Sequence, residues 1–549
     1  MKIAAGLAAL ALAVPSMTAR TDEAAVGIGY ICGAENPKTP ASAKGLVMFP
    51  GMGTGGFTVD TASPEAQRWF DYGVKLYHAF NHEEAKQAFA KATALDPECA
   101  RCAWGEALSL GPTLNYGISP AETAKALAVA NRAQGLTKPE DAKAKALIAT
   151  LQGRYAPIAA REGSEVAYGH AMDALTRQFP DDDEIAELAA HALITPARAD
   201  NYAGVPRAIE ILGAILARKP NDTAAIHYYI HATEFAGRAG TALPYAKRLA
   251  ELAPGASHLV HMGAHTMMHV GLYEEVATTN AAALKVDADF KSAQGLRLHA
   301  TDQRYYLHNF QFGLAGALMS GDRELALKYA DHAGKAFTDG PADRRVTAAS
   351  RSLVALGRFA PDRALAVREA PDDRRIQKIY RHYARGEALA FRGEAAGVQR
   401  EADAIAALGA EAARLVETNG AQVADIAGKV LAGRAAMLRG QPAKAAAIYA
   451  EAAAAQEKNF PVLKNFDPPP WWYPVRRSTA AAWLKAGRYA DAEREARLSL
   501  ADWPQDALAL RVLSQAESKL GKRKLARDHD AQARRAWEGD LRAVPINLT

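Results

Sequence analysis

The stretch Ala486–Trp537 reads AGRYADAEREARLSLADWPQDALALRVLSQAESKLGKRKLARDHDAQARRAW, and its glycines Gly487 and Gly521 stand 34 residues apart. Apolar residues recur at steps of three and four on either side of each glycine, so each glycine separates two amphipathic helices. Trp503-Pro504 closes the second helix of the pair. The same ruler appears elsewhere: Gly237 to Gly271 is again 34 residues. Shorter matches are Gly321-Asp-Arg-Glu-Leu-Ala326, Gly357-Arg-Phe359 and Arg439-Gly-Gln-Pro-Ala443, and Phe80–Gly105 (FNHEEAKQAFAKATALDPECARCAWG) keeps the cadence. Hairpin dipeptides between alternating runs are absent, which leaves no strand signal to compete. The expected fold is all-α, a stack of helical hairpins in which each buries its apolar face on its neighbours. The cadence breaks near Thr195-Pro196, where a helix must stop or kink. It stretches to 50 residues between Gly271 and Gly321, and to 47 between Gly440 and Gly487, where NFDPPPWWYP reads as a stiff loop.

A 34-residue period with glycine between paired helices and proline at the close resembles the tetratricopeptide repeat (TPR) over nearly all of the chain. LDPECARCAWGEALSLGP, HYYIHATE (HxxxHxxE) and HLVHMGAHTMMHVGLY (HxxHMxxH) are similar to segments of exported bacterial TPR proteins. That resemblance implies a superhelical solenoid with a concave groove, and no particular activity. The organisation it suggests is a signal peptide at 1–19, an irregular, flexible lead-in at 20–62, a TPR array at 63–340, and a second array at 341–549, divided at Gly340-Pro341.

Bulk composition bounds the function. The 549 residues carry 66 Lys plus Arg against 61 Asp plus Glu, a net +5 that is too weak a field to argue for nucleic acid. Asp181-Asp182-Asp183-Glu184 reads as carboxylates at a helix start. MKIAAGLAALALAVPSMTAR has one Lys before a short apolar run, the pattern of a secretory signal. No later segment is apolar for long enough to cross a membrane. The mature protein is therefore expected to be periplasmic or secreted. Among only 3 cysteines, Cys99 and Cys102 are spaced for a local disulfide, and Ala103 follows where haem attachment needs His.

Eight of the 15 histidines lie between His227 and His308. His227, His231 and Glu234 stand 10, 6 and 3 residues before Gly237; His258, His261, His265 and His269 stand 13, 10, 6 and 2 before Gly271; His308 stands 13 before Gly321. Helical steps of three and four put them on one face of successive helices. In the TPR resemblance this is the groove-lining face, which argues against ordinary core histidines. Clustered imidazoles repel if protonated and lose solvation if packed neutral, and a bound cation relieves both.

The expected metal ligands are His227, His231, His258, His261, His265 and His308. Glu234 is a candidate general base or further ligand, and Tyr228, His269, Tyr305 and Asn309 are candidates to orient the imidazoles. Two three-histidine sets suit paired copper, whereas His plus Glu suits zinc or iron. An oxidising location with Met262, Met267 and Met268 nearby leans towards copper. HYYIH lacks the Glu of a zinc protease, and Met52-Gly-Thr-Gly-Gly56 lacks the Lys and the strand of a phosphate loop, so it belongs to the flexible lead-in. Tyr77 and His78 also face the groove but lie many repeats from the cluster. Three functions follow: a metal-dependent oxidoreductase or hydrolase acting on a small molecule or peptide; a scaffold binding a peptide or protein segment; or metal storage and delivery.

Overall fold

A computed structural model describes residues 45–156, 161–296, 304–336, 342–415, 418–461 and 471–549. The signal segment, the Gly340-Pro341 junction and the triple proline at 468–470 lie outside the described residues. Twenty-four α-helices and no strands are present among the described residues.

The ruler glycines have a common physical basis. Gly237, Gly271, Gly321, Gly440, Gly487 and Gly521 hold φ between +66° and +80°. This is the left-handed residue that ends a helix and reverses the chain, a conformation that costs any residue with a Cβ. Gly357 is different: it lies within the Ala342–Phe359 helix, where an added Cβ would stand 2.8 Å from Ala384. That glycine permits close packing and does not end a helix. At Thr195-Pro196 the Asp183–Ile194 helix gives way to a short 3-10 turn, Thr195–Ala199, as the proline requires. The 50-residue interval accommodates a long second helix, Tyr273–Ala293, of 21 residues. The aromatic end of the proline loop is core: Trp471 and Tyr473 are fully buried.

The stack curls far enough to bring distant hairpins together. His78, at the end of the first helix (Pro64–His78), bonds Glu184 and Tyr228, more than a hundred residues away. His78 therefore lies beside the histidine cluster, because the superhelix returns on itself. The lead-in from residue 45 is also ordered, crossing this closure as a strap. Thr54 and Thr223 exchange backbone-to-hydroxyl bonds of 2.8 and 2.9 Å. The Gly255 amide donates to Gly51 O at 2.8 Å, and Gln294 brackets the Val47 backbone with two bonds of 2.8 Å. Its glycines let the strap approach helix starts closely; the sequence pattern read as flexibility is in fact contact.

Two large apolar clusters share the interior. One runs from the strap to the helix Ser257–Val270, and the other from Tyr273 to Leu548, continuing across both sides of residue 340. The chain's last described segment, Asp540–Thr549, is held through its backbone by arginines from three separate helices, Ala342–Phe359, Thr418–Leu438 and Ala507–Lys519. Arg434 donates to Asn547 O and Thr549 O, Arg358 to Leu548 O, and Arg511 to Leu541 O and Val544 O. Cys99 and Cys102 form a disulfide at a helix start, both buried. No described helix is long and apolar enough to cross a membrane.

Candidate metal centre

Three helices carry the histidines: Thr223–Phe235, Ser257–Val270 and Arg304–Ser320. Asp222 caps the first, accepting from the amides of Ala224 and Ala225, and Gly271 in the left-handed region ends the second. Their facing sides bring all six expected ligands together in two sets. Within His227, His231 and His258, and within His261, His265 and His308, one ring nitrogen per residue lies within 4.8 Å of the others. The sets adjoin, with the rings of His231 and His265 5.9 Å apart. All six residues are buried.

The hydrogen bonds fix which nitrogen is available. Asn280 donates its amide to Val276 O at 2.7 Å, which turns its oxygen towards His261. His261 Nδ1 must then donate to that oxygen, at 2.6 Å, leaving the Nε2 lone pair free, buried and unpartnered. His265 Nδ1 donates to Glu234 Oε1 at 3.1 Å, and His227 Nδ1 to the carbonyl of His78 at 2.7 Å. Both again present Nε2 inward. His227 Nε2 stands 3.1 Å from His258 Nε2, and His265 Nε2 stands 3.3 Å from His308 Nε2. Two nitrogens on one tetrahedral ion at the usual bond length sit about 3.3 Å apart, so these pairs are spaced for a shared cation. His231 Nε2 is buried without a partner.

Burial dominates the electrostatics. It pushes His231 down to about 3, with His265 adding to the shift, and drives His227, His258 and His261 well below the ordinary imidazole range. These four imidazoles are held neutral, the form in which imidazole is a ligand. Burial works to raise the Glu234 carboxyl, but His265 and His269 overcome it and hold that group far below the usual range. Glu234 stays ionised, and its Oε1 is occupied by His265 and His269. It lies behind a ligand, outside the two sets of ligand atoms.

The expected orienting residues divide. His269 acts through Glu234. Tyr228 stacks on His227, with ring centroids 5.0 Å apart, and bonds His78. Tyr305 packs its ring 4.9 Å from His258, its hydroxyl meeting Asn115. Asn309 bonds Ser257 rather than an imidazole. Met262 and Met267 are packing residues.

Sequence reasoning missed Asn280, Phe80 and the set His78, Glu184 and Glu187, also close enough to hold a cation. His78 Nε2 bonds Glu184 Oε1 at 2.5 Å while its carbonyl anchors His227. Phe80 stacks over His258 and stands edge-on to His227, at 4.9 and 4.4 Å between centroids. It occupies the turn position that glycine fills in hairpins such as those of Gly237, Gly271 and Gly321, and adopts that turn's φ, +57°. The phenyl ring is bought with backbone strain of about 1 kcal/mol. Phe312 covers the second set, 4.6 Å from His265.

No family model and no curated protein matches the chain. Solved structures to which it is similar include the P58(IPK) TPR domain (14% identity, 83% of this chain and 98% of that chain, TM-score 0.24). Others are Naa15/Naa10 bound to HypK-THB (13%, 86% and 70%, TM-score 0.22) and the human IFIT1 dimer with m7Gppp-AAAA (11%, 79% and 88%, TM-score 0.31). At such scores these likenesses carry no argument about function or superhelical path. The chain's own hairpins establish the class: an all-α, tetratricopeptide-type helical-hairpin solenoid.

Proposed function

We propose that the chain is an exported metal protein whose two three-histidine sets hold a pair of transition-metal ions, copper fitting best, for redox chemistry on a small molecule. The observation that carries this is the paired set of buried imidazoles whose hydrogen bonds turn Nε2 inward at His227, His261 and His265. Zinc also takes three histidines, but charge favours copper. Two divalent ions would add four charges to neutral ligands, with Glu234 the carboxylate bonded to a ligand, whereas two monovalent copper ions add two. When bound, the pair supplies reversible one-electron oxidation at each ion. Glu234, Asn280 and the His78 carbonyl hold the imidazoles in orientation, and Phe80 and Phe312 exclude water. The Cys99–Cys102 disulfide supports an oxidising compartment.

A scaffold reading draws on the second half, where the buried Arg434 already holds the backbone of a segment of two short 3-10 turns, Leu541–Ala543 and Ile546–Leu548. Elemental analysis of untagged protein, beside the double variant His231→Ala/His265→Ala, separates the two. The metal reading expects about two ions per chain, largely lost from the variant. Metal-free protein in both forms would leave the scaffold.

A further inference from the structure

His82 begins the second helix (His82–Leu95) and belongs to neither ligand set. Only 3% of its surface is exposed, yet neither ring nitrogen has a partner. Leaving a donor and an acceptor of one imidazole buried and unbonded is costly, and a polar molecule at the ring would remove that cost. A cavity of 50 Å³ adjoins the ring, lined also by Phe80, Tyr116, Ser257, His258 and Tyr305. His258 Nδ1 is likewise buried without a partner. The outer wall carries Glu83, Asp287 and Lys291. One water needs about 10–15 Å³ of such space, so a molecule of about three heavy atoms fits between the two histidines.

We propose that this cavity binds a diatomic or triatomic ligand, of the size of dioxygen or azide, with His82 hydrogen-bonding it beside the ion held by His227, His231 and His258. This rests on the metal reading above. His82 is a positioning residue: its neutral ring donates through one nitrogen while the ligand's other end faces His258.

The test loads the full chain with Cu²⁺ and follows visible absorption on titration with azide, copper content being measured separately. The native protein should show an azide-dependent change in its copper spectrum, transmitted through His258, which belongs to both the ion set and the cavity wall, and benzoate, which is too large for the cavity, should leave the spectrum unchanged. His82→Leu should retain its copper but bind azide at least about tenfold more weakly, the loss of one good hydrogen bond. A copper-loaded native protein that ignores azide, that responds equally to benzoate, or whose His82→Leu form binds azide as tightly would overturn the inference. Failure to take up copper would overturn the metal reading itself, and this inference with it.

Discussion

At the scale of single residues, the account rests on which imidazole nitrogen faces inward. Asn280 sets this for His261 through an amide held in place by Val276 O. Asn280→Ala should weaken one of the two ions by about 10–100-fold, the usual cost of losing a partner behind a ligand, and spare the other. A competitive metal titration reads this directly; two ions weakened equally, or neither, would contradict it. The buried imidazoles also predict a pH dependence. His82 and His231 are held at about 3 in the folded protein against an ordinary 6.5. The unfolded chain therefore binds more protons between those values, and stability falls as pH drops through that window. Each such group costs about 1.4 kcal/mol per pH unit. Metal-free protein should lose urea resistance from pH 6.5 to 5, and loaded protein less steeply, because the ions hold His231 deprotonated. Equal midpoints at both pH values in the metal-free form would count against neutral, buried histidines. The clustering of the six histidines was legible because a fixed count from a glycine places side chains on one helix face. Asn280 and His78 were not, since their bonds cross between helices whose mutual placement no local spacing encodes.

At the scale of elements, the strap and the opening turn fix the histidine helices. Thr54 takes the amide of Thr223, the first residue of the first histidine helix, while the Gly51 carbonyl takes the amide of Gly255, just before the second. A Cβ on Gly255 would stand 1.9 Å from Pro50 O. Gly255→Ala should therefore lift the strap and cost about 2–3 kcal/mol, visible as a lower Tm and faster proteolysis near residue 50. Unchanged Tm and cleavage would show the strap to be dispensable. Met52-Gly-Thr-Gly-Gly56 looked like a flexible leader because glycine serves mobility and close approach alike, and the sequence does not say which. Phe80 was hidden for the converse reason: a phenylalanine in a left-handed turn breaks the glycine cadence that reveals the other hairpins.

At the scale of the molecule, the hairpin class was legible because its period is local, while the closure was not, because it sums small rotations over many repeats. That closure places the first two histidine helices in one apolar cluster and the third in the other. An ion pair spanning them would staple the halves together, and free metal at a hundredfold over Kd should add about 2.7 kcal/mol of stability. The central claim, two separate three-histidine sites, is tested most directly by counting tightly bound copper ions in three proteins by equilibrium titration. The native chain should bind about two, as expected of two three-histidine sets. His227→Ala/His258→Ala and His261→Ala/His308→Ala should each retain one. Equal copper content in all three proteins would contradict the account.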